Sequence, residues 1–318
     1  MSVTKMNGSI CSHTNSKEIG WFGTVRLYEC GECGVVFSER CREDLDSASV
    51  YEKYYKNESA GRFGFGLEYV VRLFRFFRAF KIFTVSPGAK KILDIGSGRG
   101  FTLYYLKKIY GFTRTAGTQI SRNAFEFSKN KLGLEIYDKD LLELPLDNGA
   151  FDVITIWHVL EHVNKPEQYI EKISSLLGDR GKLIIEVPNY DSWSRHLTAK
   201  YWLSYDLKHH IFFFTPGSLS AMLEKHGFSI KHTQTFSLEY SAFTSAQSLV
   251  NFITGSDNLF FRALQTGKLN LLTVMHAALL LLLMPVCLLI NLFMYFSKHG
   301  EVLFIVAEKN LKAGSAGQ

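Results

Sequence analysis

Lys91-Ile92-Leu93-Asp94-Ile95-Gly96-Ser97-Gly98-Arg99-Gly100 is the stretch from which the rest of the chain can be read. It opens on an apolar run of strand length and closes on glycine at every second position. Apolar continuity without alternation is what a strand covered on both faces requires. Glycine straight after such a strand admits left-handed backbone angles and lets a ligand approach the main chain. In an open α/β sheet, ligands sit where strands end and helices begin. This turn is therefore the first candidate site.

Working outward, the periodicity alternates. Helical runs are read over Phe101–Tyr110, from Ser121 through about Lys131, over Pro166–Leu177 and over Pro216–His226. Pro166 suits a first helical turn, Gly227 closes the last of these helices, and the Ser121 hydroxyl is expected to cap its helix. Strands are read over Arg114–Ile120, Leu134–Tyr137, Phe151–Trp157, Gly181–Val187, Phe228–Phe236 and Glu301–Glu308. Strands alternating with helices imply right-handed βαβ units around a mostly parallel sheet, so the fold class is α/β. Upstream, residues 1–48 read as a small Cys-containing module. Residues 49–89 read as a helical lead-in, with helix over Tyr51–Lys56 and Leu67–Phe83. The main domain is placed at 90–318, with a hydrophobic insert at about 240–299.

The order Asp-x-Gly-x-Gly-x-Gly at 94–100 resembles the first motif of class I, Rossmann-like S-adenosylmethionine-dependent methyltransferases. A dinucleotide fingerprint would put glycine where Phe101 stands, so nicotinamide cofactors are disfavoured. Later segments extend the resemblance from about Lys90 to Phe236: Gly117–Ser121, Asp140-Leu141, Phe151–Val153, Trp157–Val163 and Val187–Asn189. The resemblance implies a seven-stranded sheet with flanking helices. It also implies that Asp94, Gly96, Gly98, Gly100, Gln119, Asp140, Leu141 and Trp157 meet S-adenosylmethionine. The position that usually carries a ribose-binding acid holds Gln119, which can still donate and accept hydrogen bonds but carries no charge.

For a hydroxyl or amine acceptor, a histidine titrating near neutrality is a sensible base. His158, His162, His209 and His210 are the candidates, and the first two share a face if their stretch is helical. Trp202 through Pro216 resembles a subgroup that methylates sugars, glycan or lipid-linked intermediates and similar hydroxylated acceptors. That match makes His210 the expected base, with Asp206 orienting it or binding substrate; His162 matches a position common in the wider family and is expected above the cofactor. The plainer alternative is that these residues only pin loops.

There are 5 cysteines and no apolar N-terminal leader, so a reducing compartment and metal ligation are expected over disulfides. Cys30-x2-Cys33-Gly34 has the spacing of a zinc knuckle. Related methyltransferases often carry a second pair. Here Cys11 and His13 are the available partners, with Cys41 a substitute, for a structural zinc. A net charge of +6 is mild and does not point to nucleic acid, and none is expected as a partner.

Residues 269–297 contain no Asp, Glu, Lys or Arg. As one helix they would outreach the ~30 Å hydrocarbon core. A single crossing would separate Phe228–Phe236 from Glu301–Glu308, so a re-entrant hairpin turning at Met284-Pro285 is expected. A buried helical pair and a single-span anchor are the alternatives. The helix over Tyr69–Phe83 carries Arg72, Arg75, Arg78 and Lys81 among aromatics, and reads equally as an interfacial helix or a cover on the site. The expected function is O-methylation of a small hydroxylated, glycan or lipid-linked acceptor at the cytoplasmic face of a membrane. Quinone or lipid head-group methylation and a silent methyltransferase-fold scaffold are the competing readings.

Overall fold

The computed structural model describes residues 15–23, 25–42, 65–266 and 270–311. The helix read over 51–56, together with Cys11 and His13, lies outside these residues, as does the side chain of Cys41.

Seven strands form the main sheet: β4 (Lys91–Ile95), β5 (Arg114–Thr118), β6 (Glu135–Tyr137), β7 (Phe151–Trp157), β8 (Leu177–Pro188), β10 (Phe228–Gln234) and β11 (Val302–Lys309). Their spatial order is β10-β11-β8-β7-β4-β5-β6. The five from β8 to β6 are parallel, and β11 runs antiparallel between β10 and β8. Strand order reverses between β4 and β7, and a crevice at such a switch point is where open sheets bind ligands. Ile92, Leu93, Ile154, Ile156, Ile184 and Ile185 are completely or almost completely buried, as the unbroken apolar runs require.

Helices α1 (Phe65–Val85), α2 (Phe101–Lys108), α3 (Arg122–Glu126, continued by a π-turn over Phe127–Lys131), α4 (Pro166–Leu176), α5 (Trp193–Thr198) and α6 (Pro216–Lys225) flank the sheet. The reading of Ser121 as a side-chain cap is corrected. Its hydroxyl makes no capping bond, and its backbone N–H donates to Gln119 Oε1 at 2.8 Å. The Gln119 amide thus engages the N-cap residue's own N–H and does not cap the first turn of α3.

A second sheet of four strands joins the N-terminus to the middle of the chain. Strands β1 (Ser16–Phe22), β2 (Val25–Cys30) and β3 (Val36–Ser38) form a meander, and β3 pairs with β9 (Phe212–Phe213). A two-residue strand carries no periodicity, so β9 cannot be read from the sequence.

The insert comprises α7 (Ser241–Thr254), α8 (Leu259–Thr266) and α9 (Leu271–Ser297). The expected turn at Met284-Pro285 does not occur: α9 runs unbroken through Pro285. Proline inside a helix removes one hydrogen bond, at a cost of ~3 kcal/mol. Reversing the chain in the middle of an apolar stretch would strand several backbone groups at once. The chain reverses earlier, between α7 and α9, which pack side by side around Ala246, Val250, Leu280 and Cys287. The topological expectation behind the hairpin is met by this route, because β11 returns to pair with β10. Helix α9 is long and apolar enough to cross a membrane, and 17% of its most apolar window is buried.

Candidate functional site

The three glycines of the first turn all have positive φ, at 70°, 57° and 72°. At Gly96 a Cβ would lie 2.4 Å from Val159 Cγ2, and at Gly100 one would lie 2.6 Å from Leu134 Cδ1. The turn is thus pressed against the loop after β7 as well as being conformationally restricted. The Gly96 N–H donates to Thr118 Oγ1 at 3.1 Å, tying the ends of β4 and β5 together.

Asp94 is buried and accepts from Thr155 Oγ1 at 2.6 Å. Burial raises its carboxyl to about 6, against the Thr155 hydrogen bond and the more distant Arg78 and Arg75 guanidinia. Asp140 accepts from the Leu142 N–H at 2.9 Å and from the Tyr169 hydroxyl. Trp157 is buried, with the Arg78 guanidinium over its ring. Of the residues expected to meet the cofactor, Asp94, Gly96, Gly98, Gln119, Asp140, Leu141 and Trp157 line one cleft of about 1470 Å³. Gly100 lies behind it, as the N-cap of α2. Single small-molecule sites occupy roughly 300–1,000 Å³, so this cleft has room for a cofactor and an acceptor together.

Helix α1 also lines the cleft, through Glu68, Arg75 and Arg78. Arg75 and Arg78 both pair with Glu239, at 2.8 and 2.9 Å, and Arg72 pairs with Glu68. The Arg75 and Arg78 charges are thus paired inside the protein, whereas the Arg72 side chain is 41% exposed. Lys81 lies 3.2 Å from the centre of the Phe304 ring, and burial lowers it to about 8.

The loop after β7 is not an α-helix, so His158 and His162 do not share a helical face. His158 has φ 52°, and Leu160–His162 forms a single 3₁₀ turn. His158 sits between Glu161 (3.3 Å) and Glu186 (3.4 Å). Burial opposes its charge, but the Glu161 and Glu186 carboxylates outweigh that and lift the imidazole to about 10. His162 goes the other way: burial, reinforced by neighbouring His210, lowers it to about 4. Two histidines four residues apart thus hold opposite charge states at neutral pH.

His162 and His210 meet across the cleft, with ring centroids 4.6 Å apart. The expected Asp206–His210 pair is not formed. Asp206 takes its hydrogen bonds from His209 Nδ1, at 2.7 and 2.9 Å, while His210 Nδ1 lies 2.8 Å from the Ser204 carbonyl. The turn from Asp206 brings both His209 and His210 backbone N–H groups onto the Asp206 carbonyl, and that geometry directs the nearer imidazole to the carboxylate. The N-terminal sheet braces this loop: Arg40 Nη1 donates to the Leu207 and Lys208 carbonyls, and Ser38 N–H to that of Ile211. Nothing in the sequence connected residues near 40 with those near 210.

Glu161, Glu186 and Glu239 were missed as site residues. Glu161 lies in the quoted Trp157–Val163 segment, and its burial at 1% exposure is what sets it apart. At the N-terminal turn, Cys30 is buried and Cys33 half-buried. The Gly34 N–H donates to the Cys30 carbonyl at 2.9 Å, with Gly34 at φ 66°.

Comparison with known proteins adds to this geometry. Residues 69–233, just over half of the chain, match a family model described as a methyltransferase domain. The ubiquinone biosynthesis O-methyltransferase of Coxiella burnetii is 31% identical over 105 residues, which are 31% of this chain and 44% of that protein. A ubiquinone/menaquinone biosynthesis C-methyltransferase of Desulfotalea psychrophila is 24% identical over 161 residues, covering 48% and 64%. The chain therefore spans about half the length of the first curated relatives it matches. Among solved structures, a sarcosine dimethylglycine methyltransferase from Galdieria sulphuraria superposes at TM-score 0.52 and 14% identity, over 84% of this chain and 99% of that one. That likeness is one of fold.

Proposed function

We propose that this chain, which belongs to the methyltransferase-domain family, is an S-adenosylmethionine-dependent methyltransferase that O-methylates a small hydroxylated, glycan or lipid-linked acceptor at a membrane surface. The observation that carries this is the shared cleft, lined both by the glycine turn and by the facing rings of His162 and His210. S-adenosylmethionine supplies an electrophilic methyl group. The protein must hold the acceptor in line and remove its proton. The residues present fit the cofactor: a glycine turn in left-handed backbone, buried Asp94, and Asp140-Leu141 at the end of β6. His162 is held neutral, as a proton acceptor must be, and with His210 forms the acceptor-side pair.

The membrane part of the reading rests on α9, whose outward Leu282, Leu289, Phe293 and Phe296 are more than two-thirds exposed. Exposed apolar area of this extent calls for a covering phase. A cytoplasmic-face location goes with it. At the N-terminus, Cys30 and Cys33 on a glycine-closed turn, with Cys11 and His13, would supply donors for a structural zinc.

A quinone hydroxyl is the second reading, supported by the similarity to the quinone-modifying relatives. The engagement of Gln119 with the Ser121 N–H favours the silent-scaffold alternative. The deciding experiment is calorimetry of S-adenosylmethionine on detergent-purified protein with Gly98→Asp as control, followed by labelled methyl transfer to polar-glycan, lipid and quinone fractions. Binding lost in the variant, with label entering a hydroxylated lipid or glycan, is expected. A folded protein that does not bind the cofactor overturns the reading.

A further inference from the structure

Glu161, His162 and His210 converge from two segments: the loop after β7, and the loop braced by the N-terminal sheet. One ligand atom from each lies within 4.8 Å of the others. Glu161 is almost completely buried, and neither carboxylate oxygen makes a hydrogen bond; its contact with His158 is an ion pair at 3.3 Å. His158 meets only Oε1, which leaves Oε2 without a partner among the described residues, and a buried carboxylate oxygen so placed is expensive unless a cation completes it.

The two imidazoles are set up in the same way. His162 Nδ1 lies 2.9 Å from the His209 carbonyl, and His210 Nδ1 lies 2.8 Å from the Ser204 carbonyl. A carbonyl can only accept, so both Nδ1 atoms carry a proton, and the lone pair of each neutral ring is then on Nε2. A backbone carbonyl fixing the far nitrogen is the arrangement that surrounds metal-bound histidines. Two imidazoles and one carboxylate suit a divalent transition ion such as zinc, and leave coordination positions open.

We propose that Glu161, His162 and His210 bind a divalent transition-metal ion whose open positions take the acceptor's hydroxyl oxygen. This rests on the methyltransferase reading of the same cleft. With their lone pairs on the ion, His162 and His210 hold the acceptor in place of taking its proton; the ion lowers the pKa of the hydroxyl it holds, and the proton leaves to bulk water. The oxygen's lone pair then forms the new O–CH₃ bond as the C–S bond of the donor breaks, its electron pair staying on sulfur. No redox change occurs, and the ion is unchanged at the end.

The test uses full-length protein stripped with chelator and titrated with Co²⁺ as the probe. In Cys30→Ser protein, which removes the thiolate charge-transfer band of an ion held by Cys30 and Cys33, we expect visible d–d bands saturating at one ion per chain. Glu161→Gln and His210→Ala should each weaken the bands' apparent affinity at least tenfold. His196→Ala should not, which separates the site from the exposed Asp191–His196–His299 group. S-adenosylmethionine calorimetry on the same variants reports whether they fold, and His210→Gln serves if the alanine variant does not. Bands that follow Cys30→Ser or His196→Ala, or no bands in protein that binds the cofactor normally, overturn the proposal and leave a bare imidazole pair. Loss of cofactor binding in wild-type protein would instead strike the methyltransferase reading, while the Co²⁺ titration still reports on the metal.

Discussion

At the residue scale, the site is governed by where charge is buried. Asp94 is raised to about 6, so it ionises just below neutral pH. A sulfonium donor favours the ionised form. Affinity for S-adenosylmethionine should therefore fall as pH drops below about 6, and calorimetry on Asp94→Asn should show weak binding with no such slope. Glu301 is buried and accepts from Ser194 Oγ at 2.7 Å, and burial raises it to about 7. A carboxyl with a folded pKa above its unfolded one stabilises the fold at low pH, and this contribution is lost as pH rises through about 7. Glu301→Gln keeps an oxygen for Ser194. It should leave the melting temperature near that of wild type at pH 5 and raise it by several degrees at pH 8, as seen by scanning fluorimetry. Gly96→Ala meets both a positive φ and Val159 at 2.4 Å. It should weaken cofactor binding at least tenfold by pushing away the loop that carries Glu161 and His162, which calorimetry would read directly.

At the element scale, the seam between α7 and α9, apolar around Val250 and Leu280, carries a polar knot at Asn291. Asn291 is fully buried in α9. It donates to Ser245 Oγ and the Cys287 carbonyl, both at 2.8 Å, and accepts from Trp193 Nε1 at 3.3 Å. Asn291→Ala strands the partners of this network and should cost about 1–3 kcal/mol in denaturant unfolding. Asn291→Leu should cost no less, because the hydroxyl of Ser245 and the indole N–H stay buried. The elements around the sheet were legible because each has its own period and punctuation. Strands β4 and β7 begin and end where the apolar runs do, and Pro216 and Gly227 bracket α6. The Pro285 reading failed for an equally physical reason. Proline is a local signal, and the cost of breaking an apolar helix is set by everything around it.

At the scale of the whole molecule, two bodies of structure meet over the cleft. The seven-stranded sheet supplies the glycine turn and the loop after β7. The N-terminal sheet, through Val36 and Phe37 against Phe212 and Phe213, holds the loop that carries His210. Phe37 is fully buried against Tyr28 and Phe212. Phe37→Ala should cost about 3–5 kcal/mol and raise the KM for acceptor more than that for the cofactor, as steady-state kinetics would show. The proposed membrane association places the outward face of α9 against lipid. The wild-type chain should float with anionic lipid vesicles, and Leu289→Glu with Phe293→Glu should leave most of it in the soluble fraction while the cofactor still binds.

The sequence by itself determined the sheet, its parallel core, the place of the ligand turn and the family, because each follows from contiguous residues: an apolar run, a glycine spacing, a helix cap. It also pointed to His162 and His210. Only the tertiary structure decided that Asp206 serves His209, that the N-terminal strands brace the loop bearing His210, that Glu161 is a buried carboxylate without hydrogen bonds, and that α9 crosses Pro285 intact. These outcomes depend on which atoms meet after the chain has folded, and burial, tautomer and partner choice are properties of that meeting rather than of any one segment.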